Sequence, residues 1–169
     1  MVKIENIELI DGNGDSQAFP EEMLTPLIQF KTLFPDETTC QRLLSEIKWK
    51  EGFVCRKCGN TNYCSGKLPY SRRCTKCKKE ESVTSNTLFH RCKIPLNKAF
   101  EIAFLVCNVD DISSYKLSRR TDIRHMTCYN FQKKVQACKN EGEKDMLLDE
   151  MLKEVKIKIS KLELKDSVN

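Results

Sequence analysis

Two Cys-x-x-Cys pairs constrain this chain more than any other feature. Cys55 and Cys58 form the first pair, Cys74 and Cys77 form the second, and fifteen residues separate them. This combination of short and long spacing is typical of a four-thiolate zinc site. Two such turns facing each other complete a tetrahedron with Zn–S distances of about 2.3 Å. Because all four ligands are cysteines, the predicted site is closed and structural, with one zinc ion and no open position for a catalytic water.

Other interpretations of the cysteines are two disulfides or a redox-active dithiol. The paired spacing disfavours both, and the polar residues that follow Met1 do not resemble a signal peptide, so we expect a reduced, soluble, cytoplasmic protein. No stretch has the length of a membrane span. A second metal site built from Cys64, His90 and Cys92 lacks a paired ligand turn. The cysteines outside the zinc pattern are therefore predicted to act mainly as small buried hydrophobes, and they are Cys40, Cys64, Cys92, Cys107, Cys128 and Cys138.

Positive charge is concentrated in the middle of the chain. Residues 51–136 hold seventeen Lys and Arg against seven Asp and Glu, whereas the two flanking segments are weakly acidic. Residues 55–79 contain eight basic side chains and no acidic one. A merely solvated surface mixes both signs, so this pattern favours contact with nucleic-acid phosphates. The predicted phosphate contacts in this segment are Arg72, Arg73, Lys76, Lys78 and Lys79.

The first half of the chain is predicted to form a mobile segment, a helix and a small zinc ribbon. Residues 1–32 are interpreted as mobile, because residues 1–18 show little apolar periodicity and Pro20 and Pro26 then interrupt any long helix. The next unit, residues 33–93, begins with a helix that Asp36 caps. The apolar stripe of that helix consists of Cys40, Leu43, Leu44 and Ile47. Trp49 is expected to anchor it to a ribbon of three strands, two of them around residues 66–69 and the third a strand or extended segment over residues 81–89.

Residues 94–138 are predicted to form three helices. Pro95 marks the first position of a nearly all-apolar helix. Ser113 or Ser114 caps the second helix, a turn follows at residues 121–123, and a third helix runs from Arg124. Two helices joined by so short a turn fit a helix-turn-helix module. The predicted DNA contacts here are Arg119, Arg120, Arg124, His125, Met126, Tyr129, Asn130, Lys133 and Lys134, whereas Cys128, Phe131 and Val135 are expected to face inward.

The C-terminal segment, residues 139–169, allows two interpretations. Apolar residues recur with heptad spacing at Leu148, Leu152, Val155, Ile159 and Leu162. The alternation from Val155 to Ile159 also fits a strand. We favour a helical tail that packs on the protein or self-associates into a homo-oligomer.

The order of these features resembles a known family. An F-P-D-E helix start, a tryptophan, C-x-x-C-G, C-x-x-C, S-V-T-S-N-T-L-F-H, K-I-P-L and a long apolar helix follow one another over about residues 33–136. This order is similar to the transposase zinc-ribbon domain, the N-terminal DNA-binding part of a group of bacterial insertion-sequence transposases. The resemblance implies a zinc ribbon followed by a helix-turn-helix that recognises transposon ends, with residues 124–134 as the recognition helix. Asp122 and Arg124 depart from the Gly and the small capping residue that are usual at the turn.

The resemblance also sets an expectation about catalysis. Such transposases continue into an RNase-H-like domain with three separated acidic residues that hold catalytic metal ions, and only 33 residues follow Gln136 here. The expected protein is therefore α+β, non-catalytic and zinc-dependent, with double-stranded DNA as its partner and a nucleoid-associated location. The alternatives are a DNA-binding subunit that acts with a separate catalytic chain, and a zinc-ribbon adaptor that docks on proteins.

Overall fold

The computed structural model describes residues 21–140 and 146–166, which form six helices and one three-stranded antiparallel sheet. In chain order these are α1 Glu21–Leu33, α2 Glu37–Lys48, β1 Tyr63–Ser65, β2 Arg72–Cys74, β3 Glu80–Glu81, α3 Leu96–Asn108, α4 Ser114–Thr121, α5 His125–Asn140 and α6 Met146–Asp166. The predicted α+β class is confirmed. Two helices precede the ribbon, however, where one was predicted.

Helix α1 occupies part of the segment that was predicted to be mobile. Pro26 lies inside it and costs about 3 kcal/mol in a helix interior. The side chains of Leu27 and Phe30 that follow are almost fully buried, and each contributes about 1.5–3 kcal/mol. The Phe30 ring also stacks on Phe104 of α3, with centroids 4.9 Å apart. Tertiary burial therefore offsets the proline, and the prediction of a mobile segment is wrong from residue 21 onward; residues 1–20 lie outside the described residues.

Helix α2 follows the predicted pattern. The Asp36 carboxylate accepts a hydrogen bond from the Thr39 N–H at 2.8 Å and caps the first turn. The hydrogen bonds from Thr39 hold the pKa of Asp36 below its usual value. The predicted apolar stripe is buried at Cys40, Leu43 and Leu44, so the inward face of α2 is confirmed.

The ribbon sheet has the order β1-β2-β3, and its strands are short. Tyr63 pairs with Cys74 and Ser65 with Arg72, and Arg72 pairs in turn with Glu81. The third strand ends at Glu81, so only the first residue of the strand or extended segment predicted over residues 81–89 belongs to the sheet. The backbone beyond it turns repeatedly, with positive φ at Asn86.

Three backbone carbonyls in the segment 82–93 accept hydrogen bonds from lysine side chains and not from a neighbouring strand. Lys48 Nζ donates to the Ser82 and Ser85 carbonyls at 2.7 Å each, and Lys134 Nζ donates to the Leu88 carbonyl. The segment 82–93 is thus held in place by side chains from α2 and α5.

Helix α3 is the centre of the hydrophobic core. Every side chain from Ala99 to Val106 is buried, including that of Glu101. The helix follows Pro95, one position later than predicted. Ser113 caps α4 by accepting from the Lys116 N–H, and Asp122 ends α4 in the left-handed conformation. Residues 122–124 link α4 to α5, whose inward residues are Cys128, Phe131 and Val135.

Within the C-terminal segment, residues 146–166 form a helix and not a strand. Helix α6 packs against α1 and α2 of its own chain and buries Leu148, Met151, Val155 and Ile159. Leu152 is only partly buried, and Met151 takes the fully buried place beside it. Of the two roles predicted for this segment, packing is the one observed within the chain. Among the described helices, none combines the length and the hydrophobicity that a bilayer crossing requires.

Candidate metal centre and nucleic-acid interface

The two Cys-x-x-Cys turns have the same backbone hydrogen bonds. In the first, the Gly59 N–H donates to the Cys55 carbonyl at 2.8 Å, and the Cys55 N–H donates to the Asn60 carbonyl at 2.9 Å. In the second, the Lys78 N–H donates to the Cys74 carbonyl at 3.1 Å, and the Cys74 N–H donates to the carbonyl of the residue after Lys78 at 2.9 Å. Gly59 and Lys78 both have positive φ, at 69° and 60°. The ribbon therefore presents two equivalent pairs of thiols.

The four thiols have the geometry of one tetrahedral metal site. The sulfur atoms of Cys55, Cys58, Cys74 and Cys77 all lie within 4.8 Å of one another. Cys55 Sγ is 3.5 Å from Cys77 Sγ, and Cys58 Sγ is 3.6 Å from Cys74 Sγ. Adjacent sulfurs of a tetrahedral site with Zn–S bonds of about 2.3 Å are about 3.8 Å apart. The cysteines are thus positioned to bind one metal ion, and four sulfur donors suit zinc.

The pKa values of the cluster cysteines also favour a bound metal ion. Burial raises the pKa of Cys74, but hydrogen bonds from the Cys77 N–H at 3.5 Å and the Asn60 side-chain amide at 3.4 Å outweigh it and bring that pKa to about 6. A hydrogen bond from the Asn60 N–H lowers the pKa of Cys58, yet burial and the neighbouring thiols raise it to about 11. Four thiolates in one place repel one another, and a divalent cation removes that conflict.

A carboxylate fixes the loop between the two knuckles. Glu80 accepts from the Lys67 N–H at 2.7 Å and from the Ser71 hydroxyl at 2.9 Å. The Lys67 N–H is the main reason that the pKa of Glu80 lies below its usual value. Gly66 lies against this pair, and a Cβ there would approach Glu80 Oε1 to 2.5 Å. Only a glycine therefore fits beside the Ser71–Glu80 hydrogen bond without displacing it.

Arg72 is used inside the ribbon. Its guanidinium lies 4.4 Å from the Trp49 ring centroid and 4.1 Å from that of Tyr63, so it stacks between the two rings. Trp49 is buried, as expected of an anchor between α2 and the ribbon. Arg72 is half-buried in this stack and differs from the exposed phosphate contact that was predicted. The other predicted ribbon contacts are exposed, and they are Arg73, Lys76, Lys78 and Lys79.

Most of the predicted contacts on α4, on α5 and in the turn between them are exposed. Met126 and Tyr129 are 58% and 42% exposed, and no acidic residue occurs between residues 125 and 140. His125 Nε2 is 2.9 Å from the Ser114 hydroxyl. The exposed members of the predicted set on these helices and the turn before α5 are Arg119, Arg124, His125, Met126, Tyr129, Asn130, Lys133 and Lys134.

Two of the predicted contacts on these helices donate hydrogen bonds to groups outside α4 and α5. Arg120 Nε donates to the buried Glu101 carboxylate at 2.7 Å, and only 12% of the Arg120 side chain is exposed. An unpaired Glu101 would be a costly buried charge, and Arg120 neutralises that charge. The prediction that Arg120 contacts DNA is therefore corrected. Lys134 Nζ lies 2.5 Å from the Leu88 carbonyl and ties α5 to the segment 82–93.

Sequence reasoning missed several residues that hold the site. Asn60 and Glu80 were not singled out, although an amide directly after Cys-x-x-Cys-Gly and the first carboxylate after an acid-free stretch were visible signals. Lys48 was missed as well. Its ammonium joins α2 to Glu81 at 2.9 Å and to two carbonyls beyond β3. Nothing in the local sequence indicated those distant partners.

The centre belongs to the class of four-thiolate zinc ribbons. Residues 35–80 match the family model described as the transposase zinc-ribbon domain, so this part of the chain is similar to that domain. The match confirms the resemblance and covers the capped α2, both knuckles and the first residue of β3. Comparisons with curated proteins and with solved structures gave no significant match.

Proposed function

We propose that this chain is a zinc-dependent protein that binds double-stranded DNA, in the manner of the end-recognition region of an insertion-sequence transposase. The observation that carries the proposal is the transposase-type ribbon joined to an exposed, acid-free helix face. A transposase must find the ends of its element, so a ribbon of this type beside a basic helical surface favours DNA as the partner.

The helices α4 and α5 and the ribbon are proposed to contact different parts of the DNA. The two helices are joined by residues 122–124, a length that suits a helix-turn-helix. In that arrangement α5 enters the major groove, where Asn130 is suited to a bidentate contact with adenine. The ribbon then adds contacts to phosphates through Arg73 and Lys76, which carry no sequence information.

The chemistry of the ribbon favours binding over cleavage. When zinc is bound, four sulfurs fill its coordination positions, so the ion cross-links the fold and leaves no position for an activated water. We propose that the chain itself does not cut DNA, and that any strand cleavage is supplied by a separate catalytic chain.

The experiment compares Asn130 with its neighbour Phe131. Duplexes selected by the zinc-loaded protein from a random library serve as preferred sites. Because a bidentate base contact is worth roughly 1–3 kcal/mol, Asn130→Ala is expected to weaken the preferred site about ten-fold or more and to spare non-specific binding. Phe131 is buried, so Phe131→Ala is expected to lower the free energy of unfolding by about 3–5 kcal/mol.

The same binding assay separates the alternatives. End-labelled duplex incubated with Mg²⁺ is expected to be retained but not nicked, and nicking would contradict a non-catalytic role. A steep loss of affinity with added salt is expected for DNA. A protein-docking adaptor would select no duplex above background.

A further inference from the structure

The segment 86–93, which lies between the ribbon and α3, forms an exposed cationic loop beside α5. His90, Arg91 and Lys93 are all exposed, and residues 82–100 contain no Asp or Glu. None of the ion pairs among the described residues involves Arg91 or Lys93. Within the described part of the chain, no ion pair therefore neutralises these two charges.

Contacts from α5 fix the position of this loop. Lys134 Nζ donates to the Leu88 carbonyl. The Phe89 ring is buried and lies 6.2 Å from the Phe131 ring and 4.9 Å from the Phe100 ring of α3. The exposed part of the loop is thus attached to the core through Leu88 and Phe89.

The attachment places the loop at one end of the helix face that we propose for DNA. Met126, Asn130 and Lys134 are spaced by four residues and lie on one ridge of α5. Since Lys134 reaches the loop, the loop lies at the C-terminal end of this ridge. A duplex that receives Asn130 in its major groove carries its phosphates along both sides of the helix.

The exposed side chains of the loop carry hydrogen-bond donors. Arg91 has a φ of 53°, in the left-handed region. The Asn86 N–H points to His90 Nδ1 at 3.4 Å, so in the neutral ring Nε2 carries the hydrogen and is a donor. Guanidinium, ammonium and imidazole N–H groups are all suited to phosphate oxygens.

We infer that Arg91 and Lys93 contact the phosphate backbone of duplex DNA next to the groove occupied by α5. The inference rests on the proposed function and adds a binding element that lies outside both the zinc knuckles and the predicted helix-turn-helix. In this arrangement the segment 82–93 sets the distance between the DNA phosphates that the ribbon contacts and the groove that receives α5.

The test uses a double variant with a matched control. Arg91→Asn with Lys93→Gln removes both charges, and Asn tolerates the left-handed conformation at position 91. The control, Lys153→Gln with Lys161→Gln, removes the same charge from exposed positions of α6. Affinity for a selected duplex and for a scrambled duplex is measured over a series of salt concentrations, with zinc content and circular dichroism verifying the fold of each variant.

The loop variant is expected to weaken binding to both duplexes to the same degree and to flatten the salt dependence by about two units, one for each lost phosphate contact. The α6 control is expected to keep the wild-type slope. The single variant Arg91→Lys keeps both positive charges and is also expected to keep the wild-type slope. A loop variant with the wild-type slope would overturn the inference and leave the proposed function standing. A wild-type protein that binds no duplex would overturn both.

Discussion

At the scale of single residues, Gly59 and Lys78 occupy equivalent places with unequal conformational cost. Each follows the second cysteine of its knuckle and adopts positive φ, which costs an ordinary L-residue roughly 1–2 kcal/mol and glycine almost nothing. A Cβ at Gly59 would meet no atom within 4 Å. The difference between the two knuckles is therefore one of backbone strain, not of packing.

Exchanging these residue types is expected to change stability in opposite directions. Lys78→Gly is expected to raise the free energy of unfolding by about 1 kcal/mol, and Gly59→Ala is expected to lower it by a similar amount. Chemical denaturation of the zinc-loaded proteins measures both. Lys78→Ala, which keeps a Cβ, is the control and is expected to stay near the wild type. A Lys78→Gly protein no more stable than that control would show that Lys78 is not strained.

Two basic side chains that were predicted to contact DNA, Arg120 and Arg72, instead bind groups within the protein. Glu101 lies within the apolar helix α3 and requires a cation nearby. Arg120 meets that need, with Lys31 Nζ at 3.9 Å as a more exposed second cation. Arg72 is retained in a different way, by the faces of Trp49 and Tyr63. Charge alone did not distinguish these residues from exposed ones such as Arg73.

At the scale of elements, the ribbon is too small to hold itself together. Its strands contain three, three and two residues, and such short strands bury too little surface to be stable alone. A bound metal ion contributes folding free energy directly, because unfolded cysteines do not form a site in advance. The zinc knuckles therefore substitute for a hydrophobic core in this part of the chain.

Replacing one ligand is expected to remove the metal and unfold the ribbon. Cys74 is fully buried among the other three thiols, so Cys74→Ser is expected to lose its zinc, whereas the wild type is expected to carry one zinc per chain. Elemental analysis of purified protein measures this. Cys64→Ser is the matched control, because the Cys64 thiol is exposed and lies outside the cluster. Full zinc occupancy in Cys74→Ser would contradict the four-thiolate site.

At the scale of the whole molecule, one hydrophobic core joins both halves of the described chain. Its buried residues come from α1 through α6 and include Cys55 and Cys74 of the ribbon. Specific bonds also cross between the halves: the Glu37 carboxylate accepts from the Leu96 N–H at 2.8 Å, and Asn97 donates to the Pro35 carbonyl at 3.3 Å. These bonds join the start of α2 to the start of α3, and the shared core extends the connection to the ribbon. The proposed contact with one duplex through two surfaces requires such a fixed arrangement.

Helix α6 is expected to be an integral part of this core. Met151 is fully buried, so Met151→Ala is expected to lower the free energy of unfolding by about 2–5 kcal/mol. Lys153→Ala, two residues away and exposed, is expected to change it by less than about 0.5 kcal/mol. Urea titration of both variants makes the comparison. Equal stability of the two would mean that α6 does not pack on the core.

The amino-acid sequence by itself determined the features that depend on spacing along the chain. The two cysteine pairs, the Asp36 cap, the apolar stripe of α2 and the inward phase of α5 follow from local rules, in which a few neighbouring residues suffice to define a turn or a helix face. These features include all four metal ligands. The match over residues 35–80 covers all of these features except the inward phase of α5.

Only the tertiary structure decided the features that depend on distant partners. Helix α1 continues through Pro26 because Phe104 and its neighbours bury the residues after it, and the segment 82–93 turns away from the sheet where Lys48 and Lys134 take its carbonyls. Arg120 faces the core because Glu101 is there. Such outcomes depend on residues far apart in the chain, and spacing within a short window carries no information about which of them meet.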